Sequence, residues 1–86
     1  MESRLPPTSI ESEEAVLGSL LLDGEAIFKI VSLLSPEDFY RDQNREVFKA
    51  CLAMRNKNIG INQVTLAHEL GDKLSSIGGA AYLMAL

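Results

Sequence analysis

Glu11, Glu13 and Glu14 place three carboxylates within four consecutive positions, a grouping that suits a divalent cation or general acid-base work. They also follow Thr8 and Ser9, both suited to cap a helix, with Thr8 and Glu11 at capping-box spacing. Acids in the first turns complement the positive end of the helix dipole, so the pattern predicts helix stabilisation rather than a metal or proton-transfer site. His68 is the only histidine, and its helical neighbours Val64, Thr65 and Asp72 supply no second ligand or nucleophile; it reads as an exposed or half-buried helix residue. Cys51, the only cysteine, falls on the same helical stripe as Val47 and Phe48, which predicts a buried structural thiol. One cysteine excludes an internal disulfide and a paired-thiolate zinc or redox site. Gly71, Asp72 and Lys73 are the nearest fragment to a phosphate-binding loop and lack the rest of it. No serine follows an aspartate, which sets aside a carrier protein with a phosphopantetheine arm. The residues predict no catalytic, cofactor or metal site.

Arg41, Arg45 and Lys49 recur every four residues as one basic stripe, with Arg55 and Lys57 beyond. Asp42 and Glu46 lie among them at ion-pair spacing, so the stripe reads first as a salt-bridged solvated face and second as a docking face for an acidic partner. Across 86 residues there are 12 acids and 8 basic side chains, a net charge of -4. Nucleic-acid affinity rests on clustered Lys and Arg releasing counterions, so a free-standing nucleic-acid-binding domain using this stripe is the alternative reading, not the first. The amino terminus has two prolines and several polar residues where a signal peptide needs a continuous apolar run. The run from Ile77 to Leu86 is too short for the ~20 residues that cross a bilayer, so neither membrane nor export is expected, and a reducing cytoplasm fits. That run ends without a cap, which predicts that the natural chain continues.

Amphipathic helices position all of these residues. Val16, Leu17, Leu20 and Leu21 make the buried stripe of a first helix, and Gly18 within it serves either close approach of another helix or a tolerated surface position. Asp23 and Gly24 turn the chain into a second helix over about Glu25 to Leu34, with Ala26, Ile27, Ile30, Val31 and Leu34 inward. Ser35, Pro36, Glu37 and Asp38 read as a capped helical turn presenting Phe39 and Tyr40. The longest helix covers about Asp42 to Lys57, with Val47, Phe48, Cys51 and Leu52 inward and Asn58 or Gly60 ending it. Asn62 caps a further helix to Leu70 or Lys73 carrying Val64, Leu66, Ala67 and Leu70, and a last helix follows Gly78 and Gly79. No alternation persists long enough for a strand, so the fold class is all-α, a compact orthogonal bundle of about five to six short helices without a sheet.

In order along the chain, LPPTSIESEEAVLGSLLLD, Pro36-Glu37-Asp38-Phe39-Tyr40, Arg45 with Val47, Phe48 and Ala50, Val64-Thr65-Leu66 with Glu69-Leu70, and Ile77-Gly78-Gly79 with Tyr82, Leu83 and Leu86 resemble the N-terminal domain of the DnaB-type replicative DNA helicases. The resemblance covers essentially the whole chain. It implies that residues 1–86 are the helical head of a collar, followed in the family by a pairing helical hairpin and a RecA-like motor. This sequence stops at Leu86, before that hairpin, and its Gly71-Asp72-Lys73 segment is short for the family.

What the resemblance implies is a non-catalytic assembly and docking domain whose parent is an ATP-dependent hexameric helicase. Primase and a helicase loader would be its partners, with the other helicase subunits. ATP and Mg, like single-stranded DNA, would be bound by the motor and not by these residues. Tyr82, with Leu83 and Leu86 beside it, is the nominated primase contact, since a tyrosine offers a large apolar ring and a polar tip. The competing reading packs Tyr82 against Leu83 and Leu86 within the stem.

Overall fold

Ser9 begins the described chain as a helix cap: its hydroxyl accepts the Ser12 amide at 3.3 Å and donates to the Ser12 hydroxyl at 2.6 Å. The computed structural model describes residues 9–86. The alternative cap Thr8 and the Pro6-Pro7 pair lie outside the described residues. Helix α1 follows over Ile10–Leu22, with Leu17, Leu20 and Leu21 buried. Gly18 makes a close approach: a Cβ there would stand 3.0 Å from the backbone carbon of Leu86, so the last residue lies directly on α1.

The second helix is shorter than its apolar pattern predicts. A 3-10 turn at Gly24–Ala26 leads into α2, Ile27–Ile30, and turns carry the chain from there. Local competition explains this. Asp23 still caps the start, its carboxylate accepting the Glu25 amide at 3.2 Å, while further along the Ser32 hydroxyl donates to the Lys29 carbonyl at 2.7 Å; a short polar side chain there offers the backbone an alternative to the helical ladder. Ile27 and Leu34 are still buried, while Ala26, Ile30 and Val31 are half-buried. A second 3-10 turn, Pro36–Asp38, is closed by Ser35 N donating to Asp38 Oδ2 at 2.9 Å.

Helix α3, Asp42–Asn56, is the axis of the molecule and packs against α1, α2, the Pro36–Asp38 turn and α4. It ends at Asn58 in the left-handed region, φ 59°; Gly60 is not needed for the stop. Asn62 and Thr65 then cap α4, Gln63–Leu70, reciprocally: Thr65 N donates to Asn62 Oδ1 at 2.9 Å, and Asn62 N to Thr65 Oγ1 at 3.0 Å. Val64 is 69% exposed, contrary to its place in the predicted stripe. At about 100° per residue it stands some 200° around the helix from Leu66, and Leu66 and Leu70 form the inner face. Gly71 ends α4 with φ 54°. A short α5, Lys73–Ser76, follows, which the apolar pattern did not indicate, and then α6, Gly79–Ala85.

Among the described residues there is no strand, and the fold is all-α. Leu17, Leu20, Phe39, Phe48, Met54 and Leu66 are completely buried. Phe39 and Phe48 meet at the centre with ring centroids 4.9 Å apart and planes tilted by 35°, an arrangement that adds to their area burial. The radius of gyration, 11.8 Å, matches the ~12 Å expected of a compact chain of this length.

Candidate docking surface and the polar relay that positions it

Glu13 lies on the apolar stripe of α1, at i+3, i+4 and i+7 spacing from Val16, Leu17 and Leu20, and is completely buried. Its carboxylate accepts from the backbone N–H of Tyr40, from Arg41 N at 3.3 Å and from Asn44 Nδ2 at 2.7 Å. Arg41, the residue that caps α3, makes no capping bond of its own. A carboxylate from α1 therefore takes up the amides at the start of α3, 27 and 28 positions further along the chain. Asn44 is completely buried as well. With its Nδ2 donated to Glu13, its Oδ1 faces α6, where the Tyr82 hydroxyl donates to it. Glu13, Asn44 and Tyr82 thus form one relay through α1, α3 and α6.

The first-turn sequence pattern marks Glu13, with Glu11 and Glu14, as a dipole-compensating acid and does not by itself indicate this relay. A signal was present. Glu13 stands on the apolar stripe of α1, and Asn44 on that of α3, three and four residues before Val47 and Phe48. A buried polar group is costly unless hydrogen-bonded, so two such groups on facing stripes point to each other.

The nominated contact residues separate in the structure. Leu83 is 1% exposed and belongs to the core, and Leu86 is half-buried against α1 at Gly18. Tyr82 is half-buried, and burial pushes its phenol pKa up, so the hydroxyl stays protonated as a donor at neutral pH. The large apolar side chain that α6 presents to solvent is Met84, 76% exposed, beside the exposed Ala80, Ala81 and Ala85.

The basic stripe is engaged with its own acids. Arg41 pairs with Glu14 at 3.5 Å and Lys49 with Glu46 at 3.5 Å. Arg45 pairs with Asp42 at 3.3 Å, and its Nε donates to the Phe39 carbonyl at 2.6 Å, tying the turn before α3 to the helix. Lys73 of α5 reaches Glu46 at 3.0 Å. Its hydrogen bond is the main cause holding the Glu46 carboxyl below its ordinary pKa, with Lys49 assisting. The sign follows: this pairing helps the fold above the ordinary glutamate range and is lost as pH falls through the lowered value. Salt weakens it, since both lysines of the pairing stand in solvent.

Cys51 is buried, and desolvation raises its thiol pKa to about 12, so it is a packing residue with almost no nucleophilic thiolate at neutral pH. His68 is exposed. Among the described residues no group of three or more His, Cys, Asp or Glu side chains is placed to hold a metal ion, and no helix is long and apolar enough to cross a membrane.

The class so defined is an all-α globular domain whose helices are arranged around α3 and tied together by a buried polar relay. The chain belongs to the DnaB-like helicase N-terminal domain family, whose model matches residues 5–86. It is 41% identical to the replicative DNA helicase DnaB of Geobacillus stearothermophilus and 36% identical to the replicative DNA helicase DnaC of Bacillus subtilis strain 168. Each match covers 96% of this chain and 19% of the relative, so the chain spans about a fifth of those proteins. The crystal structure of the N-terminal domain of DnaB helicase from Mycobacterium tuberculosis superposes with a TM-score of 0.88 at 37% identity, over 94% of this chain and 60% of that one.

Proposed function

We propose that this chain is a non-catalytic assembly and docking domain, the globular head of the collar of a cytoplasmic replicative DNA helicase. The observation that carries this reading is the match of residues 5–86 to the helicase N-terminal domain family by a chain that spans 19% of its curated relatives. In this reading residues 1–86 precede a pairing hairpin and a motor, and the motor binds ATP, Mg and single-stranded DNA within a hexamer. The head offers contact geometry to primase and to a helicase loader.

The mechanism is mechanical. The relay from Glu13 through Asn44 to Tyr82 holds α6 at a set angle to α1 and α3, and Gly18 lets Leu86 lie flush on α1. A rigid support of this kind lowers the ordering cost of binding. Tyr82 acts in it chiefly as the inward tether, while Met84 is the large exposed apolar side chain on α6, flexible and suited to adaptable contacts.

In the full-length helicase, Met84→Asp is expected to weaken primase binding by about tenfold, the scale of a buried interface side chain, with hexamer mass and ATPase rate unchanged. Titration calorimetry reads the affinity. An unchanged primase affinity would remove α6 as the contact.

A further inference from the structure

We infer that the groove between α2 and the 58–62 segment is a second docking site, which takes a peptide segment carrying a carboxylate beside a bulky apolar side chain. The groove has a volume of about 330 Å³ and is lined by no residue of α6. Its walls come from two chain reversals. Asn58 turns the chain out of α3 in the left-handed region, and Gly24 lets α2 close against Ile61, since a Cβ at Gly24 would stand 2.9 Å from the Ile61 carbonyl oxygen.

Two observations define the occupant. Phe28, 61% exposed, and Ile59, 39% exposed, line the same groove, so large apolar surface stands in water there. Arg55 lines the same groove from the last turn of α3. Arg41, Arg45, Lys49, Lys57 and Lys73 each hold a carboxylate within 3.5 Å. Arg55 holds none among the described residues, and its Nε is shielded from solvent without an acceptor. A shielded donor without a partner costs free energy. A carboxylate entering the groove removes that cost once the guanidinium turns toward it, through a charge-assisted bond that an arginine fork makes well. The apolar neighbour of that carboxylate covers Phe28 and Ile59. Glu25 also lines the groove and opposes the incoming charge.

The test is a nitrogen-15 NMR titration of the 86-residue chain with the peptide acetyl-leucyl-aspartyl-phenylalaninamide and its asparagine counterpart. The aspartyl peptide is expected to bind with millimolar affinity and to shift the Arg55 Nε–H together with the amides of Gly24, Ile59, Gly60 and Ile61. The asparaginyl peptide is expected to bind about tenfold more weakly, the discrimination of one charge-assisted bond. Arg55→Gln should abolish the preference while keeping the dispersed spectrum of the folded chain, and Glu25→Gln should tighten aspartyl binding. Absence of saturable shifts at these nuclei, equal affinity for the two peptides, or a preference that survives Arg55→Gln would overturn the proposal. Shifts at the same nuclei with protein concentration alone would assign the groove to a second copy of the chain and would overturn it too. None of these readouts depends on primase, so failure here is distinct from failure of the α6 contact.

Discussion

Glu13→Leu is expected to lower the unfolding free energy by about 3–5 kcal/mol, because it strands one buried and two part-buried donors together. The Tyr40 and Arg41 amides and the Asn44 side chain all lose their acceptor, and Asn44 then no longer holds its Oδ1 toward Tyr82. Against a total of about 5–15 kcal/mol for a small domain, such a loss brings the fold near its margin. Urea denaturation monitored by circular dichroism measures it. Glu13→Gln keeps the volume and one acceptor oxygen and is expected to lose less. Tyr82→Phe removes only the last link and should cost about 0.5–1.5 kcal/mol. In the Glu13→Leu background the same change should cost less, since the two share Asn44. A Glu13→Leu loss below about 1 kcal/mol would mean that the relay contributes little beyond what water supplies.

Phe48→Ala is expected to be as damaging for a different reason. Phe48 is completely buried and meets Phe39 at 4.9 Å, so truncation removes aromatic burial at the junction of α3 with the turn that leads into it. Phenylalanine-to-alanine changes in cores cost about 3–5 kcal/mol, the transfer term plus the cavity left behind. In a domain of this size that corresponds to a melting temperature lower by more than about 12 °C. Differential scanning calorimetry measures the shift, and one of only a few degrees would show that the surrounding leucines collapse into the space.

Helix α1, α3 and the capped turn at Ser35 were legible because they depend on local signals: apolar stripes at helical period, a serine cap, a proline in the first helical position. The buried thiol of Cys51 followed from the same stripe. The truncated α2 was not legible, since its apolar residues keep helical spacing through Leu34 while the Ser32 hydroxyl bonds the Lys29 carbonyl. Val64 lies outside the stripe its spacing predicts because one apolar residue near a helix start satisfies more than one stripe, and only the packing of α4 on α3 selects Leu66 and Leu70. For the candidate surface the difficulty was greater. Glu13 has the look of a first-turn acid, and only the arrival of the α3 start above it, some 27 positions later, makes it a buried acceptor. Leu83 and Met84 are neighbours in sequence, yet one is core and the other solvent, a distinction set by how α6 lies on α4. The groove at Arg55 depends on two turns and has no linear signature.

The proposed role is that these residues supply contacts to a helicase whose chemistry would lie elsewhere in a parent chain. The most direct test titrates primase onto the full-length helicase and onto the same protein lacking residues 9–86, by calorimetry, with ATPase rates taken on both samples. The expected result is loss of primase binding from the shortened protein while it continues to hydrolyse ATP. Equal primase affinity in the two proteins would contradict the account.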